Sequence, residues 1–185
     1  MGARKPRQWR IMLLGWALGV LTTPLISAAF AASIVTYFAA EQDCAGLAIG
    51  AIDTARQEIL VSAYALTNGS GFPAALARAH GRGVDVRLIA DRRTPCTRQE
   101  GVSALAAGGI PVWIDDRARV AHEKALIIDR RVTIMGSYNF SAGAVRHSED
   151  LNVVTSEEVA EAYATHWQAR QAISVRFGDR AEWCR

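Results

Sequence analysis

The chain of 185 residues is long enough for one domain with a short appendage, and its hydrophobic content of 50% suffices for a substantial core. The net charge of +3 originates in the first ten residues; from residue 33 onward, 17 lysines and arginines face 18 aspartates and glutamates. The overall charge of this part therefore gives no argument for a nucleic-acid-binding protein. Only local arginine clusters could support nucleic-acid binding, and each of them is either a phosphate contact or a solvated loop. The clusters are Arg92 and Arg93 with Arg98, Arg117 with Arg119, and Arg130 with Arg131.

Residues 1–32 have the composition of a targeting segment. A basic start precedes an apolar run over 11–21, Pro24 interrupts that run, and Ala29-Phe30-Ala31 fits a signal-peptide cleavage site. The alternative is an uncleaved N-terminal membrane anchor, because residues 11–32 are long enough to span a bilayer. Both alternatives predict a domain of residues 33–185 outside the cytoplasm, either periplasmic or secreted.

Hydrophobic periodicity and turn residues divide residues 33–185 into strands and helices. In chain order the predicted elements are strand 33–38, helix 42–57, strand 58–64, helix 73–80, strand 84–90, helix 98–107, strand 110–114, strand 124–129, strand 132–135, strand 151–154 and helix 156–173. Ser156 is the expected N-cap of the last helix. This order predicts a single α/β domain with a mixed β-sheet flanked by helices.

The chain has three cysteines, Cys44, Cys96 and Cys184, and export would place them where disulfides form. They allow one pair and one free thiol. Cys44 with Cys96 is the favoured pair, because each follows a predicted strand. Their spacing matches no zinc motif.

Polar side chains concentrate between residues 122 and 150, around two predicted buried strands. His122 and Lys124 are two residues apart, so both side chains project from one face if Lys124 begins a strand. Ser137 and Asn139 have the same spacing after the return strand. Asp129 lies at the far end of the first strand with the opposite parity from Lys124, so a bracing role competes with a direct one.

These residue types match the requirements of phosphodiester cleavage. Lys124 supplies a compact positive charge, and Ser137 and Asn139 supply hydrogen-bond donors for phosphate oxygens. Lys5 and Lys124 are the only lysines of the chain, so an ammonium stands beside His122 in a sequence that otherwise uses arginine after residue 10.

A neutral His122 imidazole can attack phosphorus and form a phosphohistidine. A carboxylate on its second ring nitrogen would hold the tautomer and stabilise the cation that forms. Glu149 is the candidate for this role, and the adjacent Asp150 is the alternative.

The pattern His122-x-Lys124-x4-Asp129-x6-Gly136-Ser137-x-Asn139 resembles the HxKxxxxDxxxxxxGSxN signature of the phospholipase D superfamily. The resemblance extends over most of residues 33–175, where AIDTARQEILVSAYALT, RGVDVRLIADRR and THWQAR look like the small single-motif bacterial endonucleases of that superfamily. It implies a phospholipase D-like mixed sheet and a mechanism that needs no metal or cofactor. The implied catalytic residues are His122, Lys124, Asp129 and Glu149, and the implied phosphate-binding residues are Lys124, Ser137 and Asn139.

The implied mechanism uses two copies of the motif. One histidine attacks phosphorus, and the second protonates the leaving oxygen and then activates water. This chain has one copy, since His80, His147 and His166 lack the HxK context. We therefore expect a homodimer that joins both motifs at its two-fold axis.

Three functions are compatible with these observations. The first is a nonspecific endonuclease acting on DNA or RNA. The second is a phospholipase D-type hydrolase of phosphatidyl head groups, held near a membrane through residues 11–32. The third is an inactive nucleic-acid-binding module, which the intact signature disfavours because binding alone does not require His122.

Overall fold

Residues 32–94 and 101–179 are described by the computed structural model, and within them eight strands form one mixed β-sheet. The strands are β1 (Ser33–Phe38), β2 (Glu58–Ala63), β3 (Asp85–Asp91), β4 (Val112–Asp115), β5 (Lys124–Ile128), β6 (Val132–Gly136), β7 (Asp150–Thr155) and β8 (Val175–Arg176). The helices are α1 (Cys44–Thr54), α2 (Phe72–Gly81), α3 (Gly101–Ala107) and α4 (Glu157–Ile173). The predicted α/β fold with a mixed sheet is confirmed.

The sheet order β1-β7-β6-β5-β2-β3-β4-β8 decides which strand ends meet. β2, β3 and β4 are parallel, while β5 pairs antiparallel with β2, and β6 and β7 continue the antiparallel pattern. The carboxyl ends of β2, β3 and β4 therefore share one edge with the starts of β5 and β7 and the end of β6. We call this edge the upper edge.

The two faces of the sheet bury separate cores. α1, α2 and α3 cover one face and α4 covers the other. Leu126 and Ala125 illustrate the alternation of a strand, since Leu126 belongs to the first core and Ala125 to the second. Trp167 of α4 is 1% exposed, and its Nε1 donates to the carbonyl oxygen of Val61 at 2.9 Å. Truncation of such a core tryptophan costs about 3–5 kcal/mol, so Trp167 anchors α4 to the sheet.

Element boundaries follow from local hydrogen bonds. Ser156 caps α4 as predicted, since its side chain accepts a hydrogen bond from the backbone of Val159 at 3.3 Å. α1 ends at Thr54 rather than at residue 57, and the backbone N–H groups just beyond it donate to Asp129. β8 was not predicted, because two residues carry no periodic signal.

The favoured pairing of Cys44 with Cys96 is wrong. Cys44 is a free thiol, 1% exposed, because the first turn of α1 packs it into the core, and burial raises its pKa. Cys96 and Cys184 lie outside the described residues, as do residues 1–31 of the predicted targeting segment. Among the residues that the structure describes, no helix has the length and apolar character needed to cross a membrane.

Candidate active site

His122 and Lys124 meet at the upper edge. Lys124 begins β5 and is 6% exposed, whereas His122 precedes the strand and is exposed. The ammonium of Lys124 donates to the backbone oxygen of His122 at 2.7 Å and lies 2.9 Å from Nδ1 and 3.1 Å from Nε2 of the imidazole. The two residues therefore share one face, as their spacing predicts.

The surroundings favour the neutral imidazole. Desolvation lowers the pKa of His122, the positive charges of Lys124 and Arg93 lower it further, and the carboxylates of Asp91 and Glu149 oppose them. Burial likewise lowers the pKa of Lys124, against the opposing charge of Glu149. A neutral imidazole is the form that can act as a nucleophile.

Ser137 and Asn139 follow β6 at the same edge. Ala125 pairs with Met135, so the end of β6 at Gly136 lies opposite the start of β5. Residue 136 must be glycine, because a Cβ atom there would lie 2.3 Å from the backbone oxygen of Asp150. The Ser137 hydroxyl accepts a hydrogen bond from the Asp150 backbone at 3.0 Å, and a side-chain hydrogen bond from Ser137 helps to lower the pKa of the Asp150 carboxyl. The Asn139 Oδ1 is buried and has no hydrogen-bond partner within the described ranges.

The two acidic residues before β7 have different surroundings. Asp150 accepts hydrogen bonds from the Ser137 backbone at 3.2 Å and from Asn152 Nδ2 at 2.7 Å, so it holds the Ser137 turn in place. Glu149 makes no hydrogen bond to His122 within the described part of the chain, and its Oε1 lies 3.7 Å from His147 Nδ1. Its charge nevertheless raises the pKa of His122 and of Lys124. Support of His122 by Glu149 stays a prediction.

Asp129 lies at the opposite end of β5, about 16 Å from the upper edge at the usual rise per residue. Its carboxylate accepts backbone hydrogen bonds from Arg56 at 2.9 Å, Gln57 at 2.7 Å and Glu58 at 3.0 Å. Burial alone would raise the pKa of Asp129, but these three donors lower it overall. The structure does not bring Asp129 to His122, so its expected catalytic role is corrected to a bracing one.

Three further residues reach the site from β2 and β3. The ring of Tyr64, which follows β2, lies 4.3 Å from the His122 ring and 4.8 Å from the Lys124 ammonium. Asp91 ends β3 with its side chain fully buried, and Arg93 follows two residues later. The sequence holds a usable signal, because residues just past the carboxyl ends of parallel strands commonly line a binding site.

A cavity of about 180 Å³ adjoins His122 between the upper edge and α4. His166 of α4 lines it together with Glu123, and the two form a contact of 2.8 Å between Nε2 and Oε1. Asp115 and Arg170 form a salt bridge on the same wall. In the described residues, no three histidine, cysteine or carboxylate side chains come together as a metal-binding group.

The chain is similar to known proteins in sequence and in fold. Residues 48–170 match the family model described as cardiolipin synthase, PLD-like domain. Phospholipase D of Rickettsia bellii is 35% identical over 140 residues, which cover 75% of this chain and 69% of that protein.

Two solved structures share the fold. Nuc of Salmonella typhimurium, a phospholipase D family member, has a TM-score of 0.74 at 30% identity, over 80% of this chain and 99% of that one. NucT of Helicobacter pylori has a TM-score of 0.72 at 19% identity, over 80% and 100% of the two chains. The chain therefore belongs to the phospholipase D superfamily and is a phosphodiesterase of that superfamily.

Proposed function

We propose that this phosphodiesterase is a metal-independent endonuclease that cuts DNA or RNA with little sequence preference. The observation that carries the proposal is the exposed imidazole of His122 on an open sheet edge, with the Lys124 ammonium beside it. A polymer can reach this edge without entering a closed pocket. Lys124, Ser137 and Asn139 then supply positive charge and hydrogen bonds for the phosphate oxygens.

The proposed reaction has two steps. A ring nitrogen of His122 attacks phosphorus and forms a P–N bond, while the P–O bond to the leaving group breaks and the leaving oxygen takes a proton from a second imidazole. That second imidazole then removes a proton from water. The water oxygen attacks phosphorus, the P–N bond breaks, and His122 returns with a phosphate monoester as product.

The second imidazole comes from another copy of the chain in this proposal. Three observations support a homodimeric site. The chain has a single motif, His122 is exposed, and no hydrogen bond joins His122 to Glu149 within the described chain. Sedimentation combined with kinetics tests it, and a fully active monomer contradicts it. His166→Ala is the matched variant, because His166 is the other histidine that lines the cavity beside His122.

Export completes the proposal. The basic and apolar composition of residues 1–32 supports a periplasmic or secreted location, with anchoring through residues 11–32 as the alternative to cleavage.

Phospholipid hydrolysis is the second candidate function. The name phospholipase D of the Rickettsia bellii relative favours it, as does the apolar segment before the domain. Against it, two cavities adjoin His122, of about 180 and 320 Å³, and at least half of the lining residues of each are polar or charged. Such a lining offers little support for acyl chains.

One set of assays separates these functions. Purified protein is incubated with plasmid DNA, RNA and phosphatidylcholine vesicles, each with and without EDTA, beside His122→Ala and the surface control His147→Ala. We expect nucleic-acid cleavage that survives EDTA, disappears in His122→Ala and persists in His147→Ala. An adduct of labelled substrate that is stable in alkali and lost in acid would identify the phosphohistidine. Lipid cleavage alone would overturn the nuclease proposal, and binding without cleavage would indicate an inactive binding module.

A further inference from the structure

A buried carboxylate holds Arg93 next to the proposed nucleophile. Asp91 Oδ1 accepts hydrogen bonds from the backbone of Arg93 at 3.0 Å and from its Nε at 2.9 Å. Asp91 Oδ2 accepts from the backbone of Ala121 at 2.7 Å, and Ala121 directly precedes His122. The Asp91 side chain is 0% exposed. Because one rigid group joins both segments, the Arg93 guanidinium has a defined position relative to His122.

The ring of Tyr64 brings three nitrogen groups together. The guanidinium carbon of Arg93 lies 5.2 Å from its centre, the Lys124 ammonium 4.8 Å and the His122 ring 4.3 Å. Cations at such distances are attracted to an aromatic face. The positive charge of Arg93 helps to lower the pKa of His122, after burial and the charge of Lys124.

The outer half of the Arg93 guanidinium is available for a ligand. Its Nε is engaged by Asp91, but neither Nη group donates a hydrogen bond within residues 32–94 and 101–179, and the side chain is 47% exposed. A guanidinium fixed in this way presents its remaining donors in the planar geometry that suits phosphate oxygens.

The contacts also separate the positions of Arg93 and Lys124. Lys124 lies within hydrogen-bonding distance of both nitrogens of His122, whereas Arg93 makes no hydrogen bond to His122 within the described residues and shares the ring of Tyr64 with it. Lys124 therefore accompanies the phosphorus that His122 attacks.

We propose that Arg93 binds the phosphate next to the scissile one, so that the preferred substrate carries consecutive phosphodiesters. The proposal rests on the nuclease function proposed above and deepens it. A chain of phosphates fills both positions, whereas the single phosphodiester of phosphatidylcholine leaves the Arg93 position empty.

The test compares Arg93→Gln with the wild-type full-length protein on two substrates. Bis(p-nitrophenyl) phosphate carries one phosphodiester, and an oligothymidylate carries several. We expect Arg93→Gln to reduce kcat/KM on the oligonucleotide about tenfold more than on the small diester, with the excess loss in KM rather than kcat. The slope of log kcat/KM against log salt on the oligonucleotide should also decrease in magnitude by about 0.7, which corresponds to one single-strand phosphate contact.

Arg131→Gln is the matched control. Arg131 is an exposed arginine at the opposite end of the sheet, where its Nε lies 3.6 Å from Glu157, so its loss should change neither substrate preference nor salt slope. Equal losses on both substrates, or an unchanged oligonucleotide KM and salt slope in Arg93→Gln, would overturn the proposal. Wild-type protein that cleaves phosphatidylcholine vesicles but not the oligonucleotide would refute the nuclease function itself. Failure of the Arg93 proposal alone leaves wild-type oligonucleotide cleavage intact.

Discussion

The ammonium of Lys124 faces both ring nitrogens of His122, at 2.9 Å from Nδ1 and 3.1 Å from Nε2. A neutral imidazole has one nitrogen with a free lone pair, so only one of these contacts can be a hydrogen bond. A phosphate oxygen is a stronger acceptor because it is charged. We therefore expect the ammonium to shift toward the phosphate when substrate binds, which frees the nitrogen that attacks.

Replacement of Lys124 by arginine should reduce turnover at least about tenfold, although the charge is kept. Lys124 is 6% exposed, and its ammonium lies 2.9 Å from His122 Nδ1 and 4.8 Å from the centre of the Tyr64 ring, so the larger planar guanidinium of arginine would change these contacts. Steady-state kinetics on a plasmid measures the effect. Arg131→Lys is the exposed control, and near-normal turnover in Lys124→Arg would contradict a point-charge role.

The acid limb of kcat/KM should lie below the ordinary histidine pKa of 6.5. Burial, Lys124 and Arg93 all lower the pKa of His122, so the neutral nucleophile persists to lower pH before protonation removes it. A pH profile of kcat/KM measures this limb in the free enzyme. An acid limb above 6.5 would show that His122 with its lowered pKa is not the titrating nucleophile.

Glu149→Gln should move the same limb to still lower pH. The carboxylate of Glu149 raises the pKa of His122, so removal of its charge lowers that pKa further. Glu157→Gln, an exposed change in the first turn of α4, should leave the limb in place. An upward shift in Glu149→Gln, or none, is the result that argues against an electrostatic role at His122.

Asp129→Asn should reduce the free energy of unfolding by about 1–3 kcal/mol while the folded protein keeps its activity. The carboxylate receives three backbone hydrogen bonds that an amide cannot fully accept, whereas the positive φ of 50° is tolerated by asparagine. Urea denaturation measures the loss. Asp85→Asn, which removes a surface pair with Arg87, should change stability by less than about 1 kcal/mol.

The stability difference between wild type and Asp129→Asn should also depend on pH. Because the folded-state pKa of Asp129 is lowered from 3.8, its contribution is fully present above that value and is lost as pH falls through the lowered pKa. Urea titrations at neutral and strongly acidic pH should therefore converge at the acidic end. Full stability combined with lost activity in Asp129→Asn would return Asp129 to the reaction centre.

Local pattern was sufficient for the elements and for part of the site. The alternation of side chains along a strand is a property of the backbone, so the spacing of His122 and Lys124 predicted their common face. The place of Asp129 at the far end of the same strand, with the opposite parity, predicted that it could lie apart from them. The choice of Ser156 as a helix cap depends only on the next three residues. These inferences need no knowledge of which strands are neighbours.

Tertiary structure alone decided what surrounds the motif. Tyr64, Asp91 and Arg93 lie near His122 because β2 pairs with β5 and β3 pairs with β2, and His166 lines the cavity beside His122 because α4 packs on that face. Sheet order arises from packing between segments far apart in sequence, and no periodicity within one segment encodes it. The sequence by itself thus determined the motif and its family. The fold decided that Asp129 is a brace and that a guanidinium held by a buried carboxylate stands beside the nucleophile.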